Sequence, residues 1–89
     1  MLYLYGDYNS QPARAIWSLA THESDSLGNW ERVDVNLSKL EQRKPAYKSI
    51  NPLGKVPALK ETFADGSPEF NLFESHAMMK YLCFSRSLP

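Results

Sequence analysis

The sequence predicts an α/β domain, a four-stranded mixed sheet flanked by helices, in the order βαβ, a short helical segment, then ββα. Three observations predict it. The apolar run Leu2–Tyr5, the stripe Ala13, Ile16, Trp17, Ala20 and the alternating Val33 and Val35 follow one another at βαβ spacing. Two short strand-like runs then flank the turn-rich stretch Ala64–Pro68. A closing stripe, Ala77, Met78, Tyr81 and Leu82, has helical spacing.

Taken in order, Leu2-Tyr3-Leu4-Tyr5 is apolar and aromatic and ends at Gly6-Asp7, as a strand buried on both faces would. After the loop Asp7–Gln11, Pro12 suits the first helical position, where its missing N–H costs nothing. His22–Asn29 is polar and reads as a loop, and Trp30–Asn36 as the second strand. Ser38-Lys39-Leu40-Glu41 has a capping-box pattern, but Pro45 limits this segment to two short helical turns. Asn51-Pro52-Leu53-Gly54 is turn chemistry. Ala58–Thr62 and Glu69–Leu72 form the hairpin, and the last helix runs from Glu74-Ser75 to about Phe84. This order is that of the thioredoxin fold.

Eighty-nine residues make one domain, spanning 1–89. Ten Lys+Arg balance ten Asp+Glu, which removes the electrostatic case for nucleic acid or an acidic membrane. No apolar stretch approaches the roughly 20 residues of a bilayer span, and the start lacks the features of a secretion signal. The single cysteine, Cys83, excludes an internal disulfide, a CxxC pair and a multi-cysteine zinc cage. The expectation is a cytoplasmic domain with no metal.

Three places carry chemistry. Ser10 stands between the carboxyl end of the first strand and a helix N-terminus, where free N–H groups favour an anion. Its hydroxyl can donate to that anion, although a helix N-cap is the commoner role for a serine there. In Lys55-Val56-Pro57-Ala58, a cis Val56–Pro57 bond would turn the Val56 backbone outward toward an extended ligand, whereas trans is the default for an isolated X–Pro pair. Glu74-Ser75 sets a carboxylate, a hydroxyl and free N–H groups at the start of the last helix. These suit an α-ammonium and α-carboxylate together, or an ordinary helix start.

Three runs, Ser10-Gln11-Pro12-Ala13-Arg14-Ala15, Ile50 to Ala58 and Leu72 to Ala77, give the chain its resemblance. It resembles the amino-terminal, glutathione-binding domain of theta-class glutathione transferases, nearest the plant-like branch, over essentially its whole length. The resemblance implies that Ser10 hydrogen-bonds the glutathione sulfur and that Val56 offers its backbone to the cysteinyl residue, with Pro57 cis. It further implies that Glu74 and Ser75 hold the γ-glutamyl ammonium and carboxylate. Lys55 and Gln42 would face the glycyl carboxylate, with Arg43 or Lys44 as alternatives to Gln42. Glutathione is then a co-substrate, its thiolate attacking an electrophile or a peroxide, and no separate cofactor is implied.

Tyr8 is the rival to Ser10, because other transferase classes place a catalytic tyrosine six residues before the arginine matching Arg14. Cys83 and His76 read as packing or solvated residues, and Trp17 and Trp30 as core or as a surface for another domain. Compared with the family, the hairpin is about six residues longer and the His22–Asn29 loop about three. Family members continue into an all-helical domain that supplies the electrophile pocket and much of a homodimer interface. That domain is expected to be absent from this chain, which leaves weak activity or none for these residues alone. The alternative reading is a non-catalytic assembly module like the domain of this fold in elongation-factor-1 gamma subunits.

Overall fold

The computed structural model of the chain describes residues 1–23 and 28–86. Strand β1 (Leu2–Gly6) lies inside a sheet of order β2-β1-β3-β4. It pairs parallel with β2 (Trp30–Asp34), Leu4 opposite Arg32, and antiparallel with β3 (Ala58–Glu61), Leu4 opposite Leu59. Strand β4 (Phe70–Phe73) runs antiparallel to β3 and sets Leu72 opposite Leu59. The expected thioredoxin-like architecture is the observed one. Position explains composition: the inner strand β1 is apolar, while the edge strand β2 carries Glu31, Arg32 and Asp34, charges that discourage pairing with another edge.

Side-chain alternation divides the core between the two sheet faces. On one face Leu2, Leu4 and Leu59 pack with Ile16, Trp17 and Ala20 of α1 (Gln11–His22) and Met78 and Leu82 of the last helix (Ser75–Arg86). On the other, Tyr5, Ala58 and Val35 meet Tyr47 of a four-residue helix, α2 (Pro45–Lys48). The last helix is therefore α3. Each fully buried leucine contributes roughly 1.5–3 kcal/mol of transfer free energy. Gly6 lets the end of β1 touch α1, because a Cβ there would lie 2.6 Å from the Cβ of Ala13. The Trp17 indole N–H donates to the Leu4 carbonyl across this contact at 3.0 Å.

Several boundaries move from their sequence expectation. His22 belongs to the last turn of α1 rather than to the loop. Residues 24–27 of that loop, and with them its extra length, lie outside the described residues. Strand β2 ends at Asp34 because Asn36 turns the chain and caps the 3₁₀ turn Leu37–Lys39. The capping box is centred on Asn36, not Ser38. Asn36 Oδ1 accepts from the Lys39 N–H at 3.2 Å, and Glu41 Oε1 accepts from the Asn36 N–H at 2.7 Å. A second 3₁₀ turn, Glu41–Arg43, leads into α2, giving three short helical pieces where two are expected. The hairpin strands shift by about one residue at the tip, and α3 continues to Arg86.

Candidate functional site

Ser10 is the N-cap of α1, with extended backbone angles (φ −104°, ψ 115°). Its Oγ accepts from the Ala13 N–H at 3.3 Å, at the long end of a hydrogen bond, and its carbonyl accepts from the Arg14 N–H. A hydroxyl carries one donor and two acceptor sites, so capping occupies a lone pair and leaves the O–H available. The roles of cap and donor are thus compatible in Ser10. No acidic side chain sits in the first turn to offset the positive end of the helix.

The preceding loop is braced by Asp7. Its carboxylate accepts from the Asn9 N–H at 2.8 Å and from the Leu37 N–H at 2.9 Å. These bonds, Asn9 first, hold its carboxyl below the usual range. The mouth of α1 is thereby tied to the turn that follows β2.

A cleft of about 140 Å³ opens beside Pro12 and is lined by Asn51, Leu53, Lys55, Val56, Pro57, Phe73, Glu74 and Ser75. It joins two of the three chemistry-bearing segments and the first turn of α1. The Val56–Pro57 bond is cis. Glu74 has φ 81°, a left-handed conformation that costs a non-glycine residue of order 1–3 kcal/mol. Its carbonyl accepts from the Met78 N–H at 2.9 Å, so it opens α3 with its own side chain exposed, while Ser75 is half-buried.

The loop carrying Val56 is fixed from below. Gly54 has φ 64°, and a Cβ there would lie 2.9 Å from the carbonyl oxygen of Gln42. This approach presses the loop on the Glu41–Arg43 turn. Gln42 is half-buried, and its Oε1 is buried without a hydrogen-bond partner among the described residues. It does not line the cleft, its backbone carbonyl lying against Gly54 between the cleft residues Leu53 and Lys55, and Arg43 and Lys44 are exposed. Asn51, 1% exposed, donates from Nδ2 to the Lys55 carbonyl at 2.8 Å and accepts from the Leu53 N–H at 3.0 Å. The Tyr47 hydroxyl donates to the same carbonyl. Burial pushes the Tyr47 phenol well up, so it remains a donor. Nothing in the sequence marks Tyr47, and Asn51 reads there only as a turn residue.

Tyr8 occupies different ground. Its ring packs edge-on against Trp17 at 5.5 Å, and its hydroxyl accepts from Arg32 Nη1 at 2.6 Å. The Arg32 guanidinium lies 4.2 Å from both ring centroids and pairs with Asp34 at 2.7 Å. Tyr8, Trp17 and Arg32 line a separate hollow with Arg14 and Trp30, and neither Tyr8 nor Ser10 is among the residues that line the cleft. Trp17 is core, and Trp30 packs half-buried against the same cluster. His76 is exposed and Cys83 half-buried, both on α3 and neither lining the cleft.

Residues 2–83 match the family model described as the N-terminal domain of glutathione S-transferase. Among curated relatives, glutathione S-transferase T1 of Arabidopsis thaliana is 41% identical over 81 residues, 91% of this chain and 29% of that protein. Arabidopsis glutathione S-transferase F10 is 44% identical over 82 residues, 92% of this chain and 34% of that protein. The human theta-1 enzyme is 39% identical over 88 residues, 99% of this chain and 33% of its own length. Among solved structures, human glutathione transferase theta-2, in complex with glutathione and an unknown ligand, superposes with a TM-score of 0.84 at 34% identity. That match covers 100% of this chain and 33% of the theta-2 chain. Apo human transferase T1-1 gives 0.83 at 37% identity, over 100% of this chain and 34% of that one. The chain spans about a third of the length of these relatives.

Proposed function

The chain belongs to the glutathione S-transferase family through its N-terminal domain, with theta-class relatives in both sequence and structure, and on that footing we propose that its cleft binds glutathione. The observation that carries the reading is the meeting of Val56 and Ser75 in one cleft with Pro12, two residues along the chain from the N-cap Ser10, whose hydroxyl keeps its O–H for a ligand. The tripeptide lies extended. Val56 pairs with the cysteinyl backbone, Glu74 and Ser75 take the γ-glutamyl ammonium and carboxylate, and Lys55 with Gln42 meets the glycyl carboxylate.

Ser10 donates to the sulfur. A serine hydroxyl is too weak an acid to act as an anionic base, so its contribution is to favour the thiolate over the thiol. The end of α1 adds positive potential at the same point. In a whole protein of this family the thiolate would attack an electrophilic carbon or a peroxide oxygen, with the second substrate seated by residues outside this chain, in a cytoplasmic homodimer. No helix among the described residues is long and apolar enough to cross a membrane.

Calorimetric titration of the chain tests the reading. Glutathione should bind saturably, and cysteinylglycine, which lacks the γ-glutamyl group, should bind far more weakly. Equal affinity for the two removes the Glu74–Ser75 assignment. No binding of glutathione removes the whole reading and leaves the assembly-module alternative standing.

A further inference from the structure

Resting on the glutathione reading, we propose that Tyr47 and Asn51 are positioning residues that aim the Val56 N–H at the bound tripeptide by holding the carbonyl of Lys55. Both side chains donate to that one oxygen, Tyr47 through its hydroxyl and Asn51 through Nδ2. The Lys55 C=O and the Val56 N–H belong to a single planar peptide unit, and in a trans unit they point in opposite directions. Fixing the oxygen toward the buried Tyr47–Asn51 pair therefore directs the N–H away from it, and Val56 lines the cleft. Among the described residues no acceptor takes that N–H, as a donor reserved for a ligand requires.

The pair is built for constancy. Tyr47 is held by an edge contact to Tyr5, ring centroids 5.9 Å apart, so its hydroxyl position is set by the core of the second sheet face. Asn51 uses both ends of its amide, Oδ1 on the Leu53 N–H and Nδ2 on Lys55, which leaves one orientation that satisfies both. Two donors on one carbonyl restrain rotation of the peptide plane, which a single bond restrains less. Binding then costs less ordering of the loop.

The test compares the chain with Tyr47→Phe, which keeps the ring and removes only the hydroxyl, and with Asn51→Asp. The aspartate keeps an acceptor for Leu53 and turns the donor facing Lys55 into an acceptor. Ile16→Val, in the opposite core cluster, controls for loss of stability alone. Glutathione affinity is measured by calorimetry, and the response of each backbone amide by two-dimensional NMR at saturation. Tyr47→Phe should bind about three- to tenfold more weakly. It should show a reduced glutathione-induced shift at the Val56 amide with the Ser75 response kept, and Asn51→Asp should lose more. Ile16→Val should keep both affinity and pattern. An unchanged Val56 response in folded Tyr47→Phe, or an equal loss in Ile16→Val, overturns the positioning role and leaves glutathione binding intact. Absence of any glutathione response in the unaltered chain overturns both.

Discussion

Ser10→Ala tests two roles at once, the observed cap and the proposed donor, and they are read by different measurements. The first is the cap on α1. Loss of an N-cap serine costs about 0.5–2 kcal/mol, and the 3.3 Å contact to the Ala13 N–H argues for the lower half of that range. For a domain of this size each kcal/mol moves Tm by about 4–8 °C, so a fall of a few degrees is expected. The second is the proposed bond to sulfur. A hydrogen bond to a charged acceptor contributes about 1.5–3 kcal/mol, and at about 1.4 kcal/mol per unit the bound thiol pKa should rise by about 1–2 units. Ser10→Asp separates the two effects. Its carboxylate caps as well as serine does but cannot donate, and it repels a thiolate, so Tm should recover while the thiol pKa rises further. The assay is thermal unfolding followed by circular dichroism, together with ultraviolet titration of the glutathione thiolate on the protein. If Ser10→Ala lowers Tm and leaves the bound thiol pKa where it was, the hydroxyl is a cap and nothing more.

Two further outcomes are expected from the surrounding geometry. Gly54→Ala brings a Cβ to 2.9 Å from the Gln42 carbonyl at a φ of 64°, so it should cost about 1–3 kcal/mol in urea unfolding and weaken glutathione binding through the displaced loop. Asp7 titrates below its ordinary value of 3.8 because the Asn9 and Leu37 N–H groups bond its ionised form. A carboxyl depressed on folding adds stability above its unfolded pKa and loses it as pH falls through the folded one. Asp7→Asn should therefore lower Tm at neutral pH and flatten the fall of Tm below about pH 4, and equal acid slopes in the two proteins would contradict this assignment.

The parts of this molecule legible in the sequence are those whose signal is local. The run Leu2–Tyr5 reads as an inner strand because neighbours on both sides leave it no polar face, and the stripe Ala13, Ile16, Trp17, Ala20 is buried as its spacing requires. Ser10 reads as either cap or donor, and its geometry shows why local chemistry could not choose between them, since capping uses a lone pair and not the O–H. Boundaries failed where a side chain several residues away decides them. Asn36 ends β2 and draws Glu41 back across the turn, which moves the capping box off Ser38. Tyr8 matches the spacing of a catalytic tyrosine, and no local pattern marks its bond to Arg32, 24 residues away, or the hollow the two line. The Tyr47–Lys55 bond was illegible for a related reason: eight residues and a turn separate the partners, and no periodicity marks a side chain that serves one backbone oxygen.

The most direct test of the central claim is to map glutathione on the isotope-labelled chain by backbone amide shifts. The expected result is saturable change concentrated at Ser10, Val56 and Ser75, with the Tyr8–Arg32 hollow unmoved. Saturable change centred on Tyr8 and Arg32, or none at Val56 and Ser75, would contradict it.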